Sequence, residues 1–255
     1  MASQNPVGSL TTTINSAIAT VQFGHPASNS FPRKLLNALT AELNQLSANT
    51  AVSVIILQSE GAGAFCAGAS FDELLAVSNR EEGTQFFSGF ANLINAMRKC
   101  SKIIVGRIHG KAVGGGVGIA AACDYAFATI DSAIKLSELA IGIGPFVIEP
   151  AVSRKIGKTA MTEMTLAATE WKNTDWAQQK GLYAKVLHDQ VELDIDIAHF
   201  TAKLASYNPE ALVQMKKIIW EGTEDWDALL LERAAISGEL VLSDFTKNAL
   251  NQFKK

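Results

Sequence analysis

Two loops and one carboxylate are the parts of this sequence best suited to chemistry. The stretch "HGKAVGGGVGIAAACD" (His109–Asp124) follows the apolar run "KIIVGRI", and five of its residues are glycine. A second stretch, "VIILQSEGAGAFCAGASFDEL", has the same layout of apolar strand, glycine-rich loop and helix start. The first N–H groups of a helix lack intrahelical partners and sit at the positive end of its dipole. Glycine beside them lets a substrate carbonyl come close. An N–H so placed can stabilise the oxygen of a developing enolate, and losing one such donor typically costs ~3 kcal/mol of transition-state stabilisation. Two such units can each offer one N–H to a single oxygen. The carboxylate is Glu138 in "KLSELAIGIGP", with apolar neighbours Leu136, Leu139, Ala140 and Ile141. Apolar surroundings desolvate a carboxyl and raise its pKa, which suits it to moving a proton.

Other readings of the glycines stand beside this one. A phosphate-binding loop fails, because the "GKT" at Gly157–Thr159 has Val152 where the leading glycine belongs. Gly116, Gly118 and Ala121 do form GxGxxA after a strand, but far from the first strand–helix turn where a dinucleotide fingerprint belongs. Close packing of a helix on a sheet would use the small residues Ala120–Ala122 equally well. Glu149, in "PFVIEP", is a second candidate acid, with an interhelical salt bridge as the alternative. Asp124 and His109 are read as structural, Cys66 and Cys123 as small core residues, and Met161 and Met164 as core at helical spacing. Trp171, Trp176, Trp220 and Trp226 are packing or interface anchors.

The elements that must position these residues follow from periodicity. "SLTTTI" and "AIATVQF" read as strands joined by a turn at Asn15–Ser16. "SFPRKLLNALTAELNQLS" reads as a helix, with Ser30 as N-cap and Pro32 near its first turn. "VSVIILQ" and "KIIVGRI" are buried strands, "SFDELLAV" a short helix, and "EEGTQFFSGFANLINAMRKC" a longer one. "VGIAAAC" is a helix of small residues, "YAFAT" and "AIKLS" are short strands, and from Pro145 on the chain is mostly helical, broken by "YAKVLH". This order implies a stacked α/β core spanning residues 1–188, and a helical region, 189–255, that packs on that core or on another subunit.

Composition bounds the function. The chain has 255 residues, 48% of them hydrophobic and 18% charged, with a net charge of −3. It can bury a large core, and the apolar surplus suggests burial between subunits. No basic run stands out, so nucleic acid is not an expected partner. Three cysteines without metal spacing point to reduced thiols, no metal site and a cytoplasmic protein. The first residues lack the pattern of a secretory signal, and no segment is apolar and long enough to span a membrane.

"AFCAGASFDEL" followed by "GKAVGGGVGIAAACD" resembles the crotonase (enoyl-CoA hydratase/isomerase) superfamily. The resemblance continues through "NSFPRKLLNALTAEL", "KLSELAIGIGP" and "KGLYAKV", over most of the chain. It implies an α/β spiral of ββα units with a helical C-terminal trimerisation region, assembled as trimers or dimers of trimers. It also implies an acyl-CoA thioester as substrate, with coenzyme A part of that substrate and no separate cofactor, and chemistry through an enolate. The oxyanion donors fall on the N–H groups of Ala69 and Gly115, and the acid/base on Glu138. CoA contacts map to Ala69, Ser70, Phe71 and Asp72, where Ser70 and Asp72 depart from the family's usual residues. Two-carboxylate hydratases carry their other glutamate at the position of Gly118. A glutamate introduced there is expected to face Glu138 across the substrate. A dehalogenase branch and dienoyl-CoA isomerases carry an acid at the position of Phe146, which disfavours both. Pro145 and the apolar "IGIGPFVI" wall suit a short or branched acyl group, such as methylglutaconyl. Double-bond isomerisation from 3-enoyl to 2-enoyl suits a single glutamate. Hydration of a 2-enoyl-CoA, or acyl-CoA binding without turnover, are the alternatives.

Overall fold

The computed structural model describes residues 7–252. β1 (Ser9–Asn15) and β2 (Ile18–Gly24) form an antiparallel hairpin in which Ser16, at φ 55°, makes the turn. α1 (Arg33–Ala48) buries Leu35, Leu36, Leu39, Leu43 and Leu46, one stripe at helical spacing. Its N-cap is Pro32, not Ser30; Ser30 lies two residues earlier, with its hydroxyl on His25 Nδ1 at 3.3 Å. Proline offers no side-chain acceptor, and the Arg33 N–H donates instead to Glu73 Oε2 at 2.8 Å.

β3 (Val54–Ser59) leads through the first glycine loop to α2 (Phe71–Ala76) and α3 (Arg80–Lys99). β4 (Ile103–Ile108) is buried along its whole length. β5 (Ala112–Val113) is two residues long and opens directly into α4 (Gly115–Ala122) through Gly114. β6 (Tyr125–Thr129) and β7 (Ile134–Lys135) follow; the expected strand over 133–137 is confined to two residues, because the chain turns into a single 3₁₀ turn at Leu139–Ile141.

The remaining elements are α5 (Glu149–Leu166), α6 (Thr174–Gln179), β8 (Lys185–Leu187), α7 (Gln190–Ala205), α8 (Pro209–Ile219), α9 (Trp226–Leu240) and α10 (Asp244–Gln252).

The main sheet has the order β1-β2-β3-β4-β6-β8, parallel throughout except at the first hairpin. Its strands alternate between two apolar layers, as the pleat requires. On one face, Ile55, Leu57 and Ile104 pack with α1 and α3. On the other, Val54, Ile103, Val105 and Phe127 pack with Leu193 and Ile197 of α7. A second, smaller layer joins β5 to β7 in parallel, with Cys66 bridged to Ala112 and Lys172 to Ile134. This small layer carries both glycine loops and Glu138.

The helices after residue 189 cover the core of their own chain. α7 lies across the sheet, and α9 runs along α3. The two helices cross where Gly83 meets Gly238; a Cβ on Gly83 would lie 2.6 Å from the Gly238 carbonyl oxygen. Trp226 and Leu230 are buried within the chain, and Leu229 packs against the same core. All three contribute to the chain's own core. Among the described residues, no helix is long and apolar enough to cross a membrane.

Candidate active site

Both glycine loops converge on one cavity of about 160 Å³. The small layer brings them together: Val113 N–H donates to the Cys66 carbonyl (2.9 Å), and Gly114 N–H to that of Lys135 (2.9 Å). The loops then approach so closely that a Cβ on Gly68 would lie 3.0 Å from Val113 O and 3.5 Å from Gly115 N. Gly68 has φ 90° and Gly114 has φ 52°, conformations an L side chain rarely adopts.

Phe31 N–H donates to Gly68 O (2.8 Å), and Ser70 N–H to Phe31 O (3.0 Å). This parallel bridge uses the groups on either side of Ala69 and leaves the Ala69 N–H without a partner among the described residues. The Gly115 N–H, first in α4, has no protein acceptor among the described residues either. Both residues are half-buried at the cavity, and two unpaired N–H groups beside one cavity suit an incoming oxygen.

Glu138 completes the site. A Cβ on Gly114 would sit 2.7 Å from its Oε1, so only glycine lets the carboxylate lie against the donor loop. The residue as a whole is half-buried, but its Oε2 is sealed from solvent and has no hydrogen-bond partner among the described residues. Burial pushes the carboxyl up to about 7, against a smaller opposing effect of its own backbone N–H. Among the described residues it is the only titratable side chain lining the cavity. Apart from Ser137 and Ser237 the rest of the wall is apolar, and includes Phe86, Phe87 and Phe90 from α3 with Ile141, Pro145 and Phe146.

Of the residues singled out in the sequence, Ala69, Phe71, Gly115, Glu138 and Pro145 line this cavity. Ser70, Asp72 and Gly118 do not. Ser70 caps α2 by accepting from Glu73 N–H at 3.4 Å, and Asp72 is exposed in the first turn of that helix. Gly118 corrects the expectation of a place for a second carboxylate. A Cβ there would lie 2.5 Å from Cγ2 of Ile148, which itself lines the cavity, so Ile148 fills the space between position 118 and the substrate.

Glu149 is not a second acid in the cavity. It joins Arg233 of α9 and Lys158, and it accepts from Ser153. Burial raises its pKa, but those hydrogen bonds outweigh burial and hold the carboxyl below the usual range. Asp124 is a buried tie between elements, accepting from Ile104 N–H (2.7 Å), Lys216 Nζ (2.6 Å) and Trp220 Nε1 (2.7 Å). His109 is fully buried beside Arg107, whose Nη1 lies 2.8 Å from its Nδ1. Burial, then the Arg107 charge, lowers its pKa, which favours the neutral ring. Cys66 and Cys123 are buried thiols pushed up to about 12, too high for reactivity at neutral pH.

Sequence reasoning missed the aromatic wall of α3 and two hydroxyls, Ser137 and Ser237, that also line the cavity. The phenylalanines have core spacing on a helix, so nothing local separates a cavity wall from a core. Ser137 carried a usable signal: it follows the strand alternation of β7 and directly precedes Glu138.

The family described as enoyl-CoA hydratase/isomerase matches residues 13–248. The chain belongs to the enoyl-CoA hydratase/isomerase family. It is thus an enzyme of the crotonase superfamily. A probable enoyl-CoA hydratase of Bacillus subtilis is 25% identical over 94% of this chain and 93% of its own length. A peroxisomal Delta(3,5)-Delta(2,4)-dienoyl-CoA isomerase of Arabidopsis thaliana is 26% identical, covering 74% of each chain. Among solved structures, an enoyl-CoA hydratase from Bacillus halodurans superposes with a TM-score of 0.88 at 20% identity, over 95% of this chain and 99% of that one, which shows the crotonase fold.

Proposed function

We propose that this family member moves the double bond of a short 3-enoyl-CoA thioester to the 2-position through an enolate. The observation that carries the reading is the solitary Glu138 carboxylate, sealed in an apolar cavity against the glycine loop. The thioester oxygen lies between the Ala69 and Gly115 N–H groups. Glu138 takes a proton from C2, the C2–H electrons flow onto the thioester oxygen, and the two N–H groups hold the resulting charge. Glu138 then returns the proton at C4 as the double bond re-forms between C2 and C3. A base with a pKa near 7 both accepts and gives back a proton at neutral pH. The aliphatic packing around Gly118 favours this over a mechanism that shares one water between two carboxylates.

No Lys, Arg or His lines the cavity among the described residues. An acyl group bearing its own carboxylate, such as methylglutaconyl, would meet no counter-charge there, and an unpaired buried charge is costly. The acyl group in this reading is neutral and short. We also propose that the chain assembles as a trimer or a dimer of trimers. The test of the chemical reading is the conversion of 3-butenoyl-CoA, followed by thioester absorbance and by mass. Formation of the 2-enoyl ester supports it, and binding without any conversion would favour a non-catalytic acyl-CoA-binding role.

A further inference from the structure

One ring in the cavity wall is not needed by the core. Phe86, Phe87 and Phe90 belong to the packed apolar clusters, whereas Phe146, which lines the same cavity, belongs to none of them among the described residues. Phe146 is half-buried and stands in the loop that leaves Glu138. Its ring folds back over Gly144: a Cβ there would lie 2.4 Å from Phe146 Cζ and 2.6 Å from Cε2. Gly144 is not among the glycines with positive φ, so its missing side chain serves the ring and not a turn. Gly144 also lines the cavity, so the ring lies along the cavity wall rather than away in solvent. Two features hold the backbone that carries it. Pro145 fixes one dihedral between Gly144 and Phe146. Arg233 of α9 donates to the Phe146 carbonyl oxygen (3.4 Å) while pairing with Glu149.

The size of the space gives this ring a consequence. Pockets that take drug-sized ligands hold about 300–1,000 Å³, and this cavity holds about 160 Å³. An apolar cavity of roughly 150 Å³ takes a ring of about six carbons. A butanoyl thioester brings a similar number of non-hydrogen atoms: its acyl carbons, the carbonyl oxygen and the sulfur. Resting on the reading that an acyl thioester enters here, but on no choice of reaction, we propose that Phe146 sets the upper limit of acyl length. Its ring closes the cavity beyond about the fourth carbon. The ring touches the end of the acyl chain and takes no part in moving the proton. Removing it opens the space over Gly144 to further methylenes.

The test is the dissociation constant of butanoyl-, hexanoyl- and octanoyl-CoA for wild type, Phe146→Leu and Phe146→Ala, with free CoA as the baseline. Saturated esters offer no double bond to move, so binding is read apart from turnover. Wild type is expected to bind octanoyl-CoA at least about tenfold more weakly than butanoyl-CoA, since overfilling a packed apolar space is costly. Phe146→Ala should tighten octanoyl-CoA by about tenfold or more and leave butanoyl-CoA within about threefold of wild type, because each newly buried methylene is worth about fourfold. Phe146→Leu keeps an apolar side chain but lacks the ring atoms over Gly144. It should shift the same way by less, and it carries the test if the alanine variant does not fold. A wild type that binds octanoyl-CoA as tightly as butanoyl-CoA overturns the proposal, and so does a folded leucine variant with the wild-type ratio. A wild type that binds butanoyl-CoA no better than free CoA overturns instead the reading that an acyl thioester enters the cavity.

Discussion

Glu138 has two jobs that pull against each other. It must be ionised to take a proton, yet it lies where burial penalises the charge. Its folded pKa of about 7 lies above the ordinary 4.5, so the folded chain holds this proton more tightly than the unfolded one. The resulting stabilisation is fully present below about pH 4.5 and is lost as pH rises through about 7. Glu138→Gln is neutral throughout, so its melting temperature relative to wild type should climb between pH 5 and pH 8. A constant difference would mean that the carboxyl is not held near 7. In the wild type, kcat/KM for isomerisation should rise with pH through about 7, as the base of the free enzyme ionises. Much of this residue was legible in advance, because the apolar neighbours and the following "GIGP" are local. Ile148 opposite Gly118 was not legible, because thirty positions separate them and only the tertiary packing of α5 on α4 brings them together.

The elements act as brackets for bare backbone. α4 begins on Gly114, at φ 52°, with the Glu138 carboxylate against it. At the far end of the same helix, Asp124 fixes the chain to β4, to Lys216 and to Trp220 of the turn after α8. Gly118→Glu has to displace Ile148, and overpacking of this kind commonly costs ~1–3 kcal/mol. We expect a lower denaturation midpoint and no gain in the ratio of hydration to isomerisation. A stable variant with a raised ratio would show that position 118 does open to the substrate. The glycine loops were readable as strand–loop–helix units, since a strand and a helix start flank each one. The phenylalanine wall of α3 was not, since its spacing is that of any amphipathic helix. Nor was the Pro32 cap, because a serine two residues earlier satisfies the usual rule.

At the scale of the molecule, one α/β core buries residues from nearly every element, and the C-terminal helices close it. Of the apolar residues of α9, Trp226 and Leu230 are buried inside the chain and Leu231 is exposed. Apolar side chains still reach the surface in stripes: Val191 and Ile195 on α7, and Met215, Ile218 and Ile219 on α8. Stripes at such spacing cover another surface more often than they face water. The proposed trimer or dimer of trimers would cover such stripes; light scattering at micromolar concentration should give that mass, and a monomer mass would contradict the assembly. The claim on which the whole account turns is that one carboxylate moves the proton. The direct measurement is kcat for 3-butenoyl-CoA in wild type and Glu138→Gln, alongside the inhibition constant of a saturated acyl-CoA. General acid–base groups are usually worth ~10²-fold or more. The account predicts at least that loss in kcat with the inhibition constant little changed; a variant keeping a tenth or more of wild-type turnover would contradict it.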